Sequence, residues 1–227
     1  MVARLTREQI EELRAIDSPT IANAIEYFNV RGRVQGYVGY DIRCLIPGLG
    51  PMVGYAVTCK GDSTTEGRQV ERAHQKLYEA IVASPKPVVV VIQDDGNDRL
   101  HSCHAGEIMA TTMKRCGAIG LVTDGGLRDI LEVKALGGFH YYGAGLVVSH
   151  GNPLIYDVGA EVTISGVTIR PGDLLHGDEN GITVIPEEIA DKVAAQAMKV
   201  REMEQARLRE ILSPDFLKQF ERLTRYE

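Results

Sequence analysis

The chain has 227 residues, 44% of them hydrophobic and 25% charged, with a formal net charge of -6. It is long enough to bury a full core, and its composition is that of a soluble globular chain. The negative balance argues against a general attraction to DNA or RNA and leaves room only for a local basic patch. No stretch approaches the roughly 20 apolar residues that span a bilayer, and the charged start MVARLTREQIEEL lacks the apolar centre of a signal peptide. The reading is therefore a cytoplasmic protein without nucleic-acid or membrane partners. Its four cysteines (Cys44, Cys59, Cys103 and Cys116) form no CxxC pair and are expected to be reduced.

In chain order, residues 4–15 set Leu5, Ile10 and Leu13 among charges and predict a short surface helix. Ser18-Pro19 predicts a second helix, with serine as N-cap and proline at the first helical position; Ile21, Ala24, Ile25 and Phe28 form its apolar face. Residues 31–51 are rich in glycine and lack periodicity, so a loop or short strand is expected there. MVGYAVTC (52–59) reads as a strand, 61–67 as a polar turn, and 68–83 as a helix ended by Ser84-Pro85-Lys86-Pro87. Val88 to Ile92 has the length and composition of a fully buried strand, although periodicity alone does not separate it from a helical segment.

A helix over 106–116 follows, stopped by Gly117, and then an apolar strand over 118–123. After Asp129 a further helix is predicted, with Ile130, Leu131, Val133 and Leu136 facing inward. Short strands are expected at 146–149, 161–164, 167–169 and 181–185, with Pro171-Gly172-Asp173 and Asp178-Glu179-Asn180-Gly181 as turns. A long amphipathic helix is predicted over 186–212, and Ser213-Pro214 starts a last short one. The outcome is one α/β domain: N-terminal helices at 1–30, a core at 31–186 and a C-terminal helical arm at 187–227. Both arms are expected to pack on a neighbouring subunit.

The stretch from Gly106 to Asp129, GEIMATTMKRCGAIGLVTDGGLRD, gathers the chemistry. The first amides of the helix, at Gly106, Glu107, Ile108 and Met109, lack partners within it and favour an anion. Arg128-Asp129 follows a strand and an Asp-Gly-Gly turn, where α/β proteins place ligands. Arginine grips carboxylates in a bidentate fork, and aspartate offers a hard oxygen to Mg2+ or Mn2+. Spacing alone favours the plainer reading, in which the pair caps the next helix and its two members bond each other. His101, Cys103 and His104, with Asp94, Asp95 and Asp98 upstream, could suggest zinc, but a structural zinc site wants a second ligand cluster that is missing, which favours a hydrogen-bonded loop. His74, His140, His150 and His176 are isolated. Glu202 and Glu204 sit in KVREMEQARLREIL, where surface helices ordinarily pair their glutamates with Lys or Arg. GxSxG, P-loop, HExxH and dinucleotide-binding patterns are all absent.

Several segments together resemble the class II 4-hydroxy-4-methyl-2-oxoglutarate aldolases and their relatives, which include the regulator of ribonuclease E activity A. SPTIANAI is similar to the family's helix opening, GPMVGYAVTC to its G-x-x-x-G-x-A-x-T strand, and PGDLLHGDENGITVIP to its PGD segment. The most specific match is an acidic residue, twenty intervening residues, then Arg-Asp: here Glu107, residues 108–127, and Arg128-Asp129.

The resemblance implies a swivelling β/β/α domain with helical arms, assembled as a homotrimer or homohexamer with sites between subunits. It implies that Asp129 ligates Mg2+ or Mn2+ and that Glu107 holds metal-bound water. Arg128 would bind the pyruvyl group of a small keto-acid substrate, and the amides of Gly106 to Met109 would receive its carboxylate. A glutamate of the neighbouring chain would complete the metal shell, Glu204 first and Glu202 second. The activity implied is cleavage of a 4-hydroxy-2-keto acid to release pyruvate, with oxaloacetate decarboxylation as a second activity. The alternative is a non-catalytic protein that binds and regulates a ribonuclease. The loop NDRLHSCHAGE departs from the family with its two histidines and a cysteine.

Overall fold

A computed structural model of the protein describes residues 4–218. Its elements, in chain order, are α1 (Arg7–Arg14), α2 (Ser18–Glu26), β1 (Arg43–Cys44), β2 (Met52–Asp62), α3 (Ala73–Ala83), β3 (Val88–Asp94), α4 (Glu107–Arg115), β4 (Ala118–Thr123), β5 (Gly126–Leu127), α5 (Ile130–Ala135), β6 (His140–Gly143), β7 (Gly145–Leu146), β8 (Leu154–Tyr156), β9 (Val162–Ile164), β10 (Val167–Ile169), β11 (Leu174–Asp178), β12 (Gly181–Ile185) and α6 (Val193–Ile211). No helix among the described residues is long and apolar enough to cross a membrane.

The main sheet runs β1-β6-β4-β3-β2-β11-β12. β2, β3, β4 and β6 are parallel, and β1, β11 and β12 are antiparallel to their neighbours. β2 is long enough to change partners on one side, pairing β11 through Met52–Tyr55 and β8 through Lys60–Asp62. The segment from residue 36 to 44 reaches both ends of the sheet. Tyr37 bridges to Thr183 of β12, Val38 donates to Ile182 O at 2.8 Å, and Arg43–Cys44 pair with β6. The sheet is thereby nearly closed, like a barrel.

Alternation along the strands assigns each face. Met52, Ala56, Val89, Val91, Val122, Tyr142 and Leu175 form the inner core. Val57, Cys59, Val88, Val90, Ile92 and Leu121 face outward beneath α3, α4 and α5, against Leu77, Ile81, Ala110, Met113 and Val133. All five residues from Val88 to Ile92 are 0% exposed, as a parallel strand covered on both faces requires. Two glycines let the inner core close up. A Cβ at Gly120 would lie 2.7 Å from Met52 Sδ, and one at Gly177 would lie 3.1 Å from the Tyr142 hydroxyl oxygen.

The N-terminal helices and the first half of α6 pack on their own chain. Ile10, Leu13, Ile21 and Ile25 of α1 and α2 join Val193, Ala197 and Val200 of α6 over Val53, Leu174 and Ile185. Buried His176 fixes this layer: its Nε2 donates to Leu13 O at 3.0 Å, and its Nδ1 accepts from Ser18 Oγ at 2.9 Å. Arg201 donates to Asp17 Oδ2 at 2.9 Å and to Ala15 O at 3.2 Å. Beyond Arg201, α6 runs exposed.

Other boundaries differ for identifiable reasons. The N-cap of α2 is Asp17, whose Oδ1 accepts from Thr20 N at 2.8 Å, so Ser18 and Pro19 lie inside the first turn. α3 begins at Ala73 because Arg72 adopts a left-handed backbone (φ 54°) that ends helical continuity toward 68. Pro186 is followed by a 3-10 turn, Glu187–Ile189, before α6. β8 and β11 fall in stretches for which no strand is expected, and α5 buries Val133 while leaving Leu131 exposed. Residues 214–217 form a turn. The rest of the last predicted helix lies outside the described residues.

Candidate functional site

The parallel pair β3 and β4 places the site. The chain leaves the end of β3, returns through the loop 95–106 into α4, and re-emerges from β4 at Asp124. Both ends of the Glu107–Asp129 pattern thus lie beyond the carboxyl ends of adjacent strands. A further short ladder holds them together. Cys103 bridges to Gly126, His104 N donates to Gly126 O at 3.0 Å, Gly126 N to Ser102 O at 3.2 Å, and Arg128 N to Ala105 O at 3.1 Å. The buried Tyr141 hydroxyl ties this strip to β6, donating to Ala105 O at 2.8 Å and lying 3.4 Å from Arg128 O.

The result is a cleft of about 370 Å³ whose lining includes Gly106, Glu107, Ile108, Met109, Arg128 and Asp129. At its centre, Asp129 Oδ2 accepts the Glu107 amide at 2.9 Å and lies 3.5 Å from Arg128 Nε. Asp129 holds a left-handed backbone (φ 57°, ψ 44°) and makes no side-chain bond to α5, the helix it precedes. The pair therefore bonds internally, as one reading of the spacing allowed. It does not cap the helix that follows: the carboxylate instead covers the first amide of α4, across the cleft. Among the described residues no acceptor takes the N–H of Ile108 or Met109, so these remain for an anion. Gly106 makes the close approach possible, because a Cβ there would lie 2.3 Å from Asp129 Oδ2 and 2.9 Å from Arg128 Nε.

The histidine–cysteine loop is structural at its inner end. His104 Nε2 lies 3.0 Å from Asp94 Oδ1, with both side chains almost fully buried, whereas exposed His101 pairs with Asp98 at 2.6 Å. These side chains diverge, and among the described residues no three His, Cys, Asp or Glu side chains converge as a metal-ligand set. Zinc is not supported there. Cys103 lines the cleft, and burial raises its thiol pKa against the pull of the Arg128 charge. Its amide is held by Ser63 Oγ at 2.7 Å. Glu202 and Glu204 are absent from this cleft. Glu204 lies on α6 beside α2, where Asn23 Nδ2 donates to its Oε1 at 3.2 Å.

The structure adds residues that spacing did not single out for the site. His74 of α3, and His150 with Pro153 from the segment between β7 and β8, share the lining. They lie far from the motif in sequence, so no local pattern could have marked them.

The family profile described as RraA-like, Aldolase/RraA, matches residues 17–184. The chain belongs to the RraA-like family. Among its relatives is the "Putative 4-hydroxy-4-methyl-2-oxoglutarate aldolase" of Halalkalibacterium halodurans, 35% identical over 136 residues that cover 60% of this chain and 61% of that one. A protein of the same name from Azotobacter vinelandii is 34% identical over 106 residues, covering 44% and 61%. The matched part thus spans about three fifths of these relatives' length. Among solved structures, an uncharacterized protein from Pseudomonas syringae pv. tomato superposes with a TM-score of 0.73 at 23% identity, covering 96% and 95% of the two chains. Streptomyces coelicolor RraAS2, described as an unusual member of the RNase ES inhibitor RraA protein family, gives 0.69 at 23% identity, covering 89% and 96%. At such identities the likeness is one of fold: the α/β RraA-like architecture with helices at both ends.

Proposed function

We propose that this RraA-like protein is a divalent-metal-dependent lyase that cleaves 4-hydroxy-2-keto acids, such as 4-hydroxy-4-methyl-2-oxoglutarate, to release pyruvate. The observation that carries this is the meeting at Gly106 of the Asp129 carboxylate, the Arg128 guanidinium and the open amides of α4. The aldolase names of relatives at 34–35% identity support it. Asp129 and Glu107 offer oxygen donors of the kind that Mg2+ or Mn2+ prefers. Among the described residues no three such side chains come together; the shell would be completed by substrate, water and a glutamate of a neighbouring copy in a trimer or hexamer, Glu204 before Glu202. When bound, the cation would act as a Lewis acid that eases enolate formation.

The chain's own groups then have distinct tasks. Arg128 holds the pyruvyl end in its fork, and the Ile108 and Met109 amides receive the carboxylate, adding fixed positive potential where enolate charge develops. Glu107 receives the 4-hydroxyl proton, directly or through a water, as the C3–C4 bond breaks. The electron pair of that bond passes to C3, and C4 becomes a carbonyl carbon. Loss of CO2 from oxaloacetate leaves the same enolate, so decarboxylation is the expected second activity.

The test is pyruvate release from 4-hydroxy-4-methyl-2-oxoglutarate and from oxaloacetate in Mg2+ or Mn2+, with and without EDTA. Turnover that EDTA abolishes is the expected result. No turnover across a panel of 4-hydroxy-2-keto acids would sink the lyase reading and leave the alternative, a non-catalytic protein that regulates a ribonuclease.

A further inference from the structure

The cleft holds more polar chemistry than a pyruvyl group uses. Arg128, Asp129 and the α4 amides converge at one point, Gly106. His74 and His150 line the same cleft from other elements, and neither bonds to Arg128, Asp129 or Glu107. His74 is half-buried on α3 and has no hydrogen-bond or ion-pair partner among the described residues, so its ring nitrogens remain open to a ligand. His150 donates from Nδ1 to Gly151 O at 2.8 Å, which leaves Nε2 as its ring nitrogen without a partner. A volume of about 370 Å³ leaves space beyond a three-carbon keto acid and falls within the range of small-molecule sites.

Resting on the keto-acid reading above, we propose that His74 is a specificity-determining residue, which hydrogen-bonds the polar group carried at the far end of the substrate, with His150 beside it. The half of the substrate that leaves as the carbonyl product would then be chosen by α3, while the half that leaves as pyruvate is held by α4. An imidazole suits this task because it donates from one nitrogen and accepts at the other, and so serves a carboxylate or a hydroxyl. Burial lowers the His74 pKa, which keeps the ring neutral near pH 7 and able to act in either sense.

The experiment compares equilibrium binding of pyruvate with that of 2-oxoglutarate, which carries a distal carboxylate but lacks the 4-hydroxyl needed for cleavage. Calorimetry is run in Mg2+ on the wild type, His74→Ala and His74→Gln. The wild type is expected to prefer 2-oxoglutarate by roughly tenfold, the worth of one hydrogen bond to a charged group. His74→Ala should bring the two affinities together with pyruvate binding unchanged, and His74→Gln, which keeps an N–H donor, should restore part of the preference. An undiminished preference in His74→Ala would overturn the proposal while leaving the keto-acid site intact. If pyruvate fails to bind the wild type at all, the keto-acid reading fails first and this inference falls with it.

Discussion

Asp129 Oδ2 sits where the β-carbon of any residue other than glycine at position 106 would have to go, 2.3 Å away. Gly106 itself has an extended backbone (φ -133°) that alanine can adopt, so Gly106→Ala tests the contact without backbone strain. The carboxylate must shift, and overpacking of this kind costs about 1–3 kcal/mol. Pyruvate release should fall by roughly a hundredfold, since misplacement of about 1 Å suffices for that, while circular dichroism still reports a folded chain. Wild-type turnover in Gly106→Ala would remove this contact from the mechanism.

Asp129→Asn separates charge from shape. Asparagine tolerates the left-handed backbone, and its carbonyl can still accept the Glu107 amide. The melting temperature should stay close to wild type while metal-dependent activity disappears. Asp129→Ala should lose both, with an added backbone cost of about 1–2 kcal/mol. Activity of Asp129→Asn within twofold of wild type would count against a ligand role.

Arg128→Lys keeps the charge and loses the planar fork. We expect kcat/KM for pyruvate release to drop at least about tenfold, in line with loss of one charge-assisted hydrogen bond. An unchanged kcat/KM would place Arg128 outside the substrate's reach.

The pH dependence of stability should reflect His140. Burial, reinforced by the Arg14 charge and opposed by Glu179, lowers its pKa from 6.5 to about 4 in the folded chain. Between these values the unfolded chain binds the extra proton, so stability falls as pH drops from 6.5 toward 4 and levels off below. For this buried group the full loss is about 3 kcal/mol, and buried His176 shifts in the same direction. Urea unfolding at pH 7, 5.5 and 4.5 should show the decline, and His140→Gln should flatten part of it. Asp17 and Asp62, each lowered to about 2, lose their contributions only as pH falls below 3.8, so the two windows separate.

Strong local signals carried most of the fold. The Val88–Ile92 run is short, β-branched and apolar at every position, as a strand covered on both faces is, and Gly117 stops α4 with a positive φ of 103°. At the site, the distance from Glu107 to Arg128-Asp129 is one helix, one strand and one turn, the connection that brings both ends to neighbouring strand termini. Legibility failed where tertiary partners decide. β11 is not legible because two turn signals, 171–173 and 178–181, bracket it and Gly177 interrupts its apolar run, yet Gly177 clears Tyr142, and Asp178 accepts the Ser18 amide from the N-terminal arm at 2.7 Å. The α3 helix was drawn too long because the left-handed turn at Arg72 has no marker in its composition. His74 and His150 are brought to the cleft by packing alone.

The segment from 31 to 44 has a bearing on how copies of this chain can meet. The outer edge of β12 is already used: Val184 N donates to Gly36 O, Val38 N to Ile182 O, and Arg31 covers Val184 O. At the opposite end, β1 is only two residues long. Among the described residues, little open edge therefore remains at the two ends of the main sheet for another chain to extend, the usual route to uncontrolled aggregation. A second copy that does not extend these ends would have to meet helical and loop surfaces, where side chains rather than backbone ladders decide which partner fits.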